Sequence, residues 1–295
     1  MSELFPGVQL ESFDNEGVRI VYRRIGEGPP LLLLHGFPQT HAMWHRVAPL
    51  LAPHFELVMS DLRGYGDSAR PASRPHHEPY SKRAMAADVS ALMRSLGHRQ
   101  YFVCGHDRGG RVAHRLALDH AGDVLRLLLI DISPTLTMYE RTTMEFARLY
   151  YHWFFLIQPE PLPETLIGAD PSFYLRTKLG AWGSSGTDHF DARALAEYQR
   201  CFTPAAIHAM CEDYRASASI DLEHDRADEA RRIACPLHIL WGERGVIERL
   251  FAPLSDWQAK AADVVTGRPL RCGHYIAEEL PDQLAAEALA FLKRT

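Results

Sequence analysis

Fully apolar runs of strand length alternate with stretches of helical spacing along the first 134 residues. "VQLESF" and "VRIVYRRIG" flank the turn-like "DNEG", which predicts a hairpin. "LLLLHG", "FELVMSD", "YFVCGH" and "LRLLLIDIS" read as buried strands, apolar at consecutive positions as in a sheet covered on both faces. Between them, "THAMWHRVAPLLA", "YSKRAMAADVSALMRSLG" and "RGGRVAHRLALDH" have helical spacing, the second closed by Gly97. This β-α-β-α-β rhythm predicts an α/β domain with a parallel sheet. It stops near Pro134. From about 135 to 230 the segments are helical and aromatic, including "MEFARLYYHWFFLI" and "AAIHAMCEDYRA". Strand character returns with "CPLHILWG", then a weaker "ADVVTG", and the chain ends on "GHYIAEELPDQLAAEALAFLKR". We therefore expect a core domain of 1–134 and 231–295, interrupted by a helical domain of 135–230.

The 295 residues are 46% hydrophobic and 23% charged, as in ordinary globular proteins. A net charge of −5 gives no support for nucleic-acid binding. No apolar run approaches the roughly 20 residues that span a bilayer, and the N-terminus has no secretory pattern, so no membrane partner is expected. Five scattered cysteines without a Cys-x-x-Cys pair read as free thiols of a cytoplasmic protein.

The chemistry begins at "GHDRGGRVAH", Gly105–His114. A strand precedes it, a helix follows, and the Gly-x-nucleophile-x-Gly pattern is that of an elbow which lifts one side chain above the sheet edge. The nucleophile position holds Asp107. A carboxylate there attacks an sp³ carbon, and water activated by a base then hydrolyses the resulting ester. His274 in "RCGHYIAEELP" is the candidate base. Asp131, at the end of "LLLID", and Glu243, after "LHILWG", compete to orient it; we favour Asp131 because a short acid at a strand end is well placed for an imidazole. The backbone N–H groups of Phe37, in "HGFPQ", and of Arg108 are candidate oxyanion donors. Suitable substrates carry a halide or an epoxide.

These residues, with "HGFPQTHAMWH", "DLRGYGDS", "YHWFFLIQPEPLPETLIGAD" and "CEDYRA", make the chain resemble the fluoroacetate (haloacetate) dehalogenases of the α/β-hydrolase superfamily. The resemblance implies an α/β-hydrolase fold: a mostly parallel eight-stranded sheet flanked by helices, with an inserted helical cap domain. It implies a homodimer that needs no cofactor or metal and acts on a small halogenated carboxylate. By the same resemblance Arg108 and Arg111 bind the substrate carboxylate, and His152, Trp153 and Tyr214 bind the halide. An Arg directly after the nucleophile and another four residues after it suit an anion site, since guanidinium matches a carboxylate in geometry and charge. Trp182 in "AWG" is a candidate pocket wall.

Other readings stay open at this stage. An epoxide hydrolase would use the same Asp-His-Asp set with two tyrosines, for which Tyr150, Tyr151 and Tyr214 are available. A binding protein on the same fold would sense a small acid without turnover. His41 and His45 lie four residues apart but lack the Glu of H-E-x-x-H, so we expect no metal. His76 and His77 fall in a Pro-rich loop and read as solvated, and His106 as a support for the elbow.

Overall fold

A computed structural model describes residues 4–184 and 186–293. Eight strands form one sheet: β1 (Leu10–Asn15), β2 (Val18–Ile25), β3 (Pro30–Leu34), β4 (Glu56–Ser60), β5 (Tyr101–His106), β6 (Val124–Ile130), β7 (Leu237–Gly242) and β8 (Thr266–Leu270). Their order is β1-β2-β4-β3-β5-β6-β7-β8. β2 pairs antiparallel with β1 and β4, and all other pairs are parallel. The β1–β2 turn is Glu16-Gly17, both at positive φ, as a two-residue hairpin requires. Leu31 to Leu34 are fully buried, which accounts for the unbroken apolar run of β3.

The helix Arg108–Asp119 packs on β3, β5 and β6 and against the helix Lys82–Ser95. Ser81 caps the latter by accepting from the Ala84 N–H. Between β6 and β7 the described residues form eight helices, from Thr135–Glu140 to Ile220–Ala227. The outermost residues of the expected domains, 1–3 and 294–295, and Ser185 lie outside the described set.

Two local expectations need correction. "THAMWHRVAPLLA" is not one helix but a 3-10 turn, His41–Trp44, followed by Ala48–Leu51. Pro49 contributes to the break, because it cannot donate to a preceding turn. The last strand is not "ADVVTG" but starts at its final two residues and runs through Pro269. β8 is an edge strand, where a missing N–H is tolerated.

In-register parallel pairing brings the carboxyl ends of β3, β5 and β6 together: Leu34 stands beside Gly105, and Gly105 beside Leu129. Phe37, Asp107 and Asp131 therefore emerge at one sheet edge, where open α/β sheets bind ligands.

Candidate active site

Asp107 sits at φ 46°, in the left-handed region that a non-glycine residue enters at a cost. Dense packing holds the turn: a Cβ on Gly109 would lie 2.4 Å from the His35 carbonyl oxygen, and one on Gly105 2.6 Å from that of Gly109. The Asp107 carboxylate is buried, and its Oδ1 accepts the Phe37 N–H at 2.9 Å. Burial alone would raise this carboxyl, but His274, Arg111, His106 and Arg108 together hold it below the ordinary value. It is therefore ionised near neutral pH.

His274 is buried and hydrogen-bonds through Nδ1 to Asp131 Oδ2, while the other Asp131 oxygen accepts the Gly242 N–H at 2.9 Å. His274 Nε2 is buried and has no partner. Burial disfavours the imidazolium, but the hydrogen bond and charge of Asp131, with the charge of Asp107, raise His274 above the ordinary histidine value. Glu243 lies apart: its half-exposed carboxylate is 3.9 Å from Arg271. His106 packs its ring 4.5 Å from that of His274, and its Nε2 lies 2.9 Å from the His274 carbonyl oxygen.

Aromatic rings from the helical insertion extend this group. The rings of His152 and Tyr214 lie 5.7 and 5.3 Å from that of Phe37, and Trp153 lies 6.4 Å from Tyr214. His152 Nδ1, Trp153 Nε1 and the Tyr214 hydroxyl are buried without a hydrogen-bond partner. Burial, then the Lys178 charge, keeps His152 neutral, and burial with the Asp107 charge keeps the Tyr214 hydroxyl protonated. Trp182 packs its ring 4.6 Å from His152 and 5.2 Å from His274. It also borders a hollow of ≈ 310 Å³ shared with Tyr151 and Lys178.

The two arginines differ in their commitments. Arg111 stacks on Trp153 at 4.7 Å and donates through Nη1 to the Ser133 carbonyl and the Thr135 hydroxyl, leaving Nε buried and unpartnered. Arg108 is fully buried, and Asp213 takes its Nε and Nη2; only Nη1 has no partner. Each guanidinium thus has one buried nitrogen without a partner, rather than an open fork. Tyr150 adds another buried, unpartnered hydroxyl, with its ring 5.1 Å from His152.

The elbow, the acid–histidine pair and the sheet order decide the family, and a profile of the alpha/beta hydrolase fold matches residues 29–263. The chain belongs to the α/β-hydrolase family. It is 45% identical to the fluoroacetate dehalogenase of Burkholderia sp over 98% of this chain and 95% of the relative. It is 34% identical to the soluble epoxide hydrolase of Corynebacterium sp. (strain C12), over 93% of this chain and 94% of that one. A solved structure, the "putative alpha/beta hydrolase" of Nostoc sp PCC 7120, superposes with a TM-score of 0.96 at 55% identity, covering 98% of this chain and 99% of its own.

Much of the support for the site comes from residues that no local motif announces. Asp213, Lys82 and Tyr65 surround Arg108 and were missed from sequence; Asp213 lies within "CEDYRA", but its partner is 105 positions away. His41 and His45 are not a metal face: His41 bonds Asp61 and Arg23, and His45 the Ala42 carbonyl. His77 is not simply solvated, since its Nδ1 lies 2.8 Å from Glu212. Among the described residues one cluster has metal-ligand spacing, Asp67, Glu197 and Cys201, but Arg200 already pairs with both acids. None of the residues in a helix of the described set forms a span long and apolar enough to cross a membrane.

Proposed function

We propose that the protein hydrolyses the carbon–halogen bond of a small 2-haloacid, with fluoroacetate giving glycolate and fluoride. Asp107 is the nucleophile, Asp131 the orienting acid and His274 the base. Residues 135–230 act as a cap over the core of 1–134 and 231–295. The observation that carries this reading is the set of buried, unpartnered polar groups beside an ionised Asp107: the donors Arg108 Nη1, Arg111 Nε, Trp153 Nε1 and the Tyr214 hydroxyl, with His152 Nδ1, which donates in its Nδ1-protonated tautomer. An anionic ligand can accept from several of these donors at once.

The geometry supports a two-step path. The substrate carboxylate takes Arg108 Nη1 and Arg111 Nε, which brings its methylene carbon to Asp107. A carboxylate oxygen of Asp107 forms a C–O bond as the C–X bond breaks, and the halide leaves with the bonding pair toward His152, Trp153 and Tyr214. Donors positioned where charge develops lower that barrier most in a water-poor site. His274 Nε2 then removes a proton from water, whose oxygen attacks the Asp107 ester carbonyl. The Phe37 N–H, already on Oδ1, and the Arg108 N–H hold the oxyanion. As the intermediate collapses, the imidazolium, stabilised by Asp131, gives its proton to the departing alkoxide oxygen; glycolate leaves, and the regenerated Asp107 carboxyl loses the second water proton to solvent. No step requires a cofactor.

The test is fluoride release from fluoroacetate and chloride release from chloroacetate, with Asp107→Asn as control. Halide release by the wild type alone supports the reading; none from either substrate overturns it. One observation favours a second reading, epoxide hydrolysis: the Tyr150 and Tyr214 hydroxyls are both buried and unpartnered. Styrene oxide beside chloroacetate separates the two. We also propose a cytoplasmic homodimer. The five unpaired cysteines support the compartment. Exposed Leu162, Leu166 and Phe173 on the insertion support the dimer, which sedimentation would test.

A further inference from the structure

The buried charges behind the pocket are not explained by the reaction. Arg108 sends Nε to Asp213 Oδ2 at 2.8 Å and Nη2 to Asp213 Oδ1 at 2.7 Å, a two-point carboxylate grip. Nη2 also reaches the Asp213 carbonyl at 2.9 Å and the Ser217 hydroxyl. Asp213 in turn accepts from Lys82 Nζ and, at 2.7 Å, from the Tyr65 hydroxyl. Lys82 Nζ lies 3.2 Å from Ser217 Oγ and 3.5 Å from Asp221. Asp213 and Arg108 are completely buried, and Lys82 nearly so. Arg108, Lys82 and Tyr65 belong to the core; Asp213, Ser217 and Asp221 come from the insertion.

We propose that Asp213 is the positioning residue of the carboxylate subsite, and that Lys82 is its counter-cation; this rests on the haloacid reading above. Asp213 fixes Arg108 in the one orientation that leaves Nη1 for substrate. A carboxylate bound to that arginine would normally cancel the charge the substrate needs. Lys82 opposes this: it pairs with Asp213 and lies 3.5 Å from Asp221, so Asp213 is shared between two cations and does not neutralise Arg108 alone. The same residue also links the two halves of the substrate site. Tyr214 follows Asp213 in the chain, and its ring lies over the Arg108 guanidinium at 4.1 Å. The arginine that grips the carboxylate and the tyrosine that faces the halide are therefore held in register across the core–cap boundary. For a two-carbon substrate that register sets where the methylene carbon sits relative to Asp107.

The test compares chloroacetate with chloroacetamide, which has the same C–Cl bond without the charge, and adds acetate as a competitive inhibitor. Asp213→Asn puts an amide N–H against a guanidinium N–H and frees Arg108 to turn. The expected result is a rise of about tenfold or more in KM for chloroacetate and in Ki for acetate, with chloroacetamide turnover changed far less. Lys82→Met, which leaves Asp213 to neutralise Arg108 alone, shifts the same two constants in the same direction. Ser217→Ala, which keeps every charge, gives a smaller shift of the same kind and serves if Asp213→Asn does not fold. A purely structural clasp would instead lower both substrates in parallel with the melting temperature; that pattern, or an unchanged acetate Ki, overturns the proposal. If the wild type releases halide from neither fluoroacetate nor chloroacetate, it is the haloacid reading itself that has failed.

Discussion

His274 is bonded through Nδ1 to Asp131 Oδ2, and this leaves its Nε2 as the one ring nitrogen without a partner. The Asp131 carboxylate, accepting at Nδ1, selects the tautomer with the proton on Nδ1, so Nε2 can accept a proton from water. Asparagine at 131 would favour the opposite tautomer. Asp131→Asn should therefore lower kcat by about 10³–10⁴-fold with little change in KM. His274→Asn should still be alkylated but unable to hydrolyse its ester. Intact-mass measurement after incubation with chloroacetate should show one carboxymethyl group retained on Asp107. A His274→Asn protein that stays unmodified would place the base in the first step instead.

Arg111 keeps a buried Nε without a partner, while Ser133, Thr135 and Met138 hold its other nitrogens. Lysine keeps the charge but not this anchoring. Arg111→Lys should raise KM for chloroacetate about 10- to 100-fold, the loss expected for one charge-assisted hydrogen bond of about 1.5–3 kcal/mol. Steady-state kinetics with both haloacetates checks this. An unchanged KM would remove Arg111 from the carboxylate subsite.

The parts of this protein that can be read from sequence are those where one residue's environment is fixed by its near neighbours. β3, buried on both faces, must be apolar throughout, so "LLLL" declares itself. Asp107 is legible because the elbow needs Gly105 and Gly109 within two positions. β8 is obscured because an edge strand with exposed residues and an internal proline carries no apolar run. Asp213 is hidden for a different reason. Its carboxylate meets Arg108 and Lys82 only after the insertion folds onto the core, and acids on helices are ordinarily solvated. The position of Arg108 directly after Asp107 can be read from the elbow motif, but not its partner, and hence not its single unpartnered nitrogen.

Trp153 has a buried indole N–H without an acceptor, and its ring packs on Arg111. Phenylalanine keeps most of the packing and removes the donor. Fluoride holds its departing charge on a small atom and depends more on hydrogen bonds than chloride does. Trp153→Phe should cut fluoride release by about 10- to 100-fold while affecting chloride release by a visibly smaller factor. An ion-selective electrode for each halide gives the ratio. Equal losses would mean that Trp153 acts through packing alone.

The two steps of the reaction call on different titrating groups, and their shifts have opposite signs. Alkylation needs Asp107 ionised, and its surroundings hold it below the ordinary carboxylate value. kcat/KM, which reports the path up to the first irreversible step, should therefore persist as the pH falls and fail only below about pH 4, the usual carboxylate value. Ester hydrolysis needs His274 neutral. In the free protein His274 lies above the ordinary histidine value, partly because of the Asp107 charge. Esterification removes that charge, so the intermediate should lose its proton more readily than the free protein. If hydrolysis limits turnover, kcat should fall with acid at a pH well above the limb of kcat/KM, yet below the pH at which free His274 titrates by NMR. Coincident limbs in kcat and kcat/KM would show that hydrolysis by His274 does not control the rate.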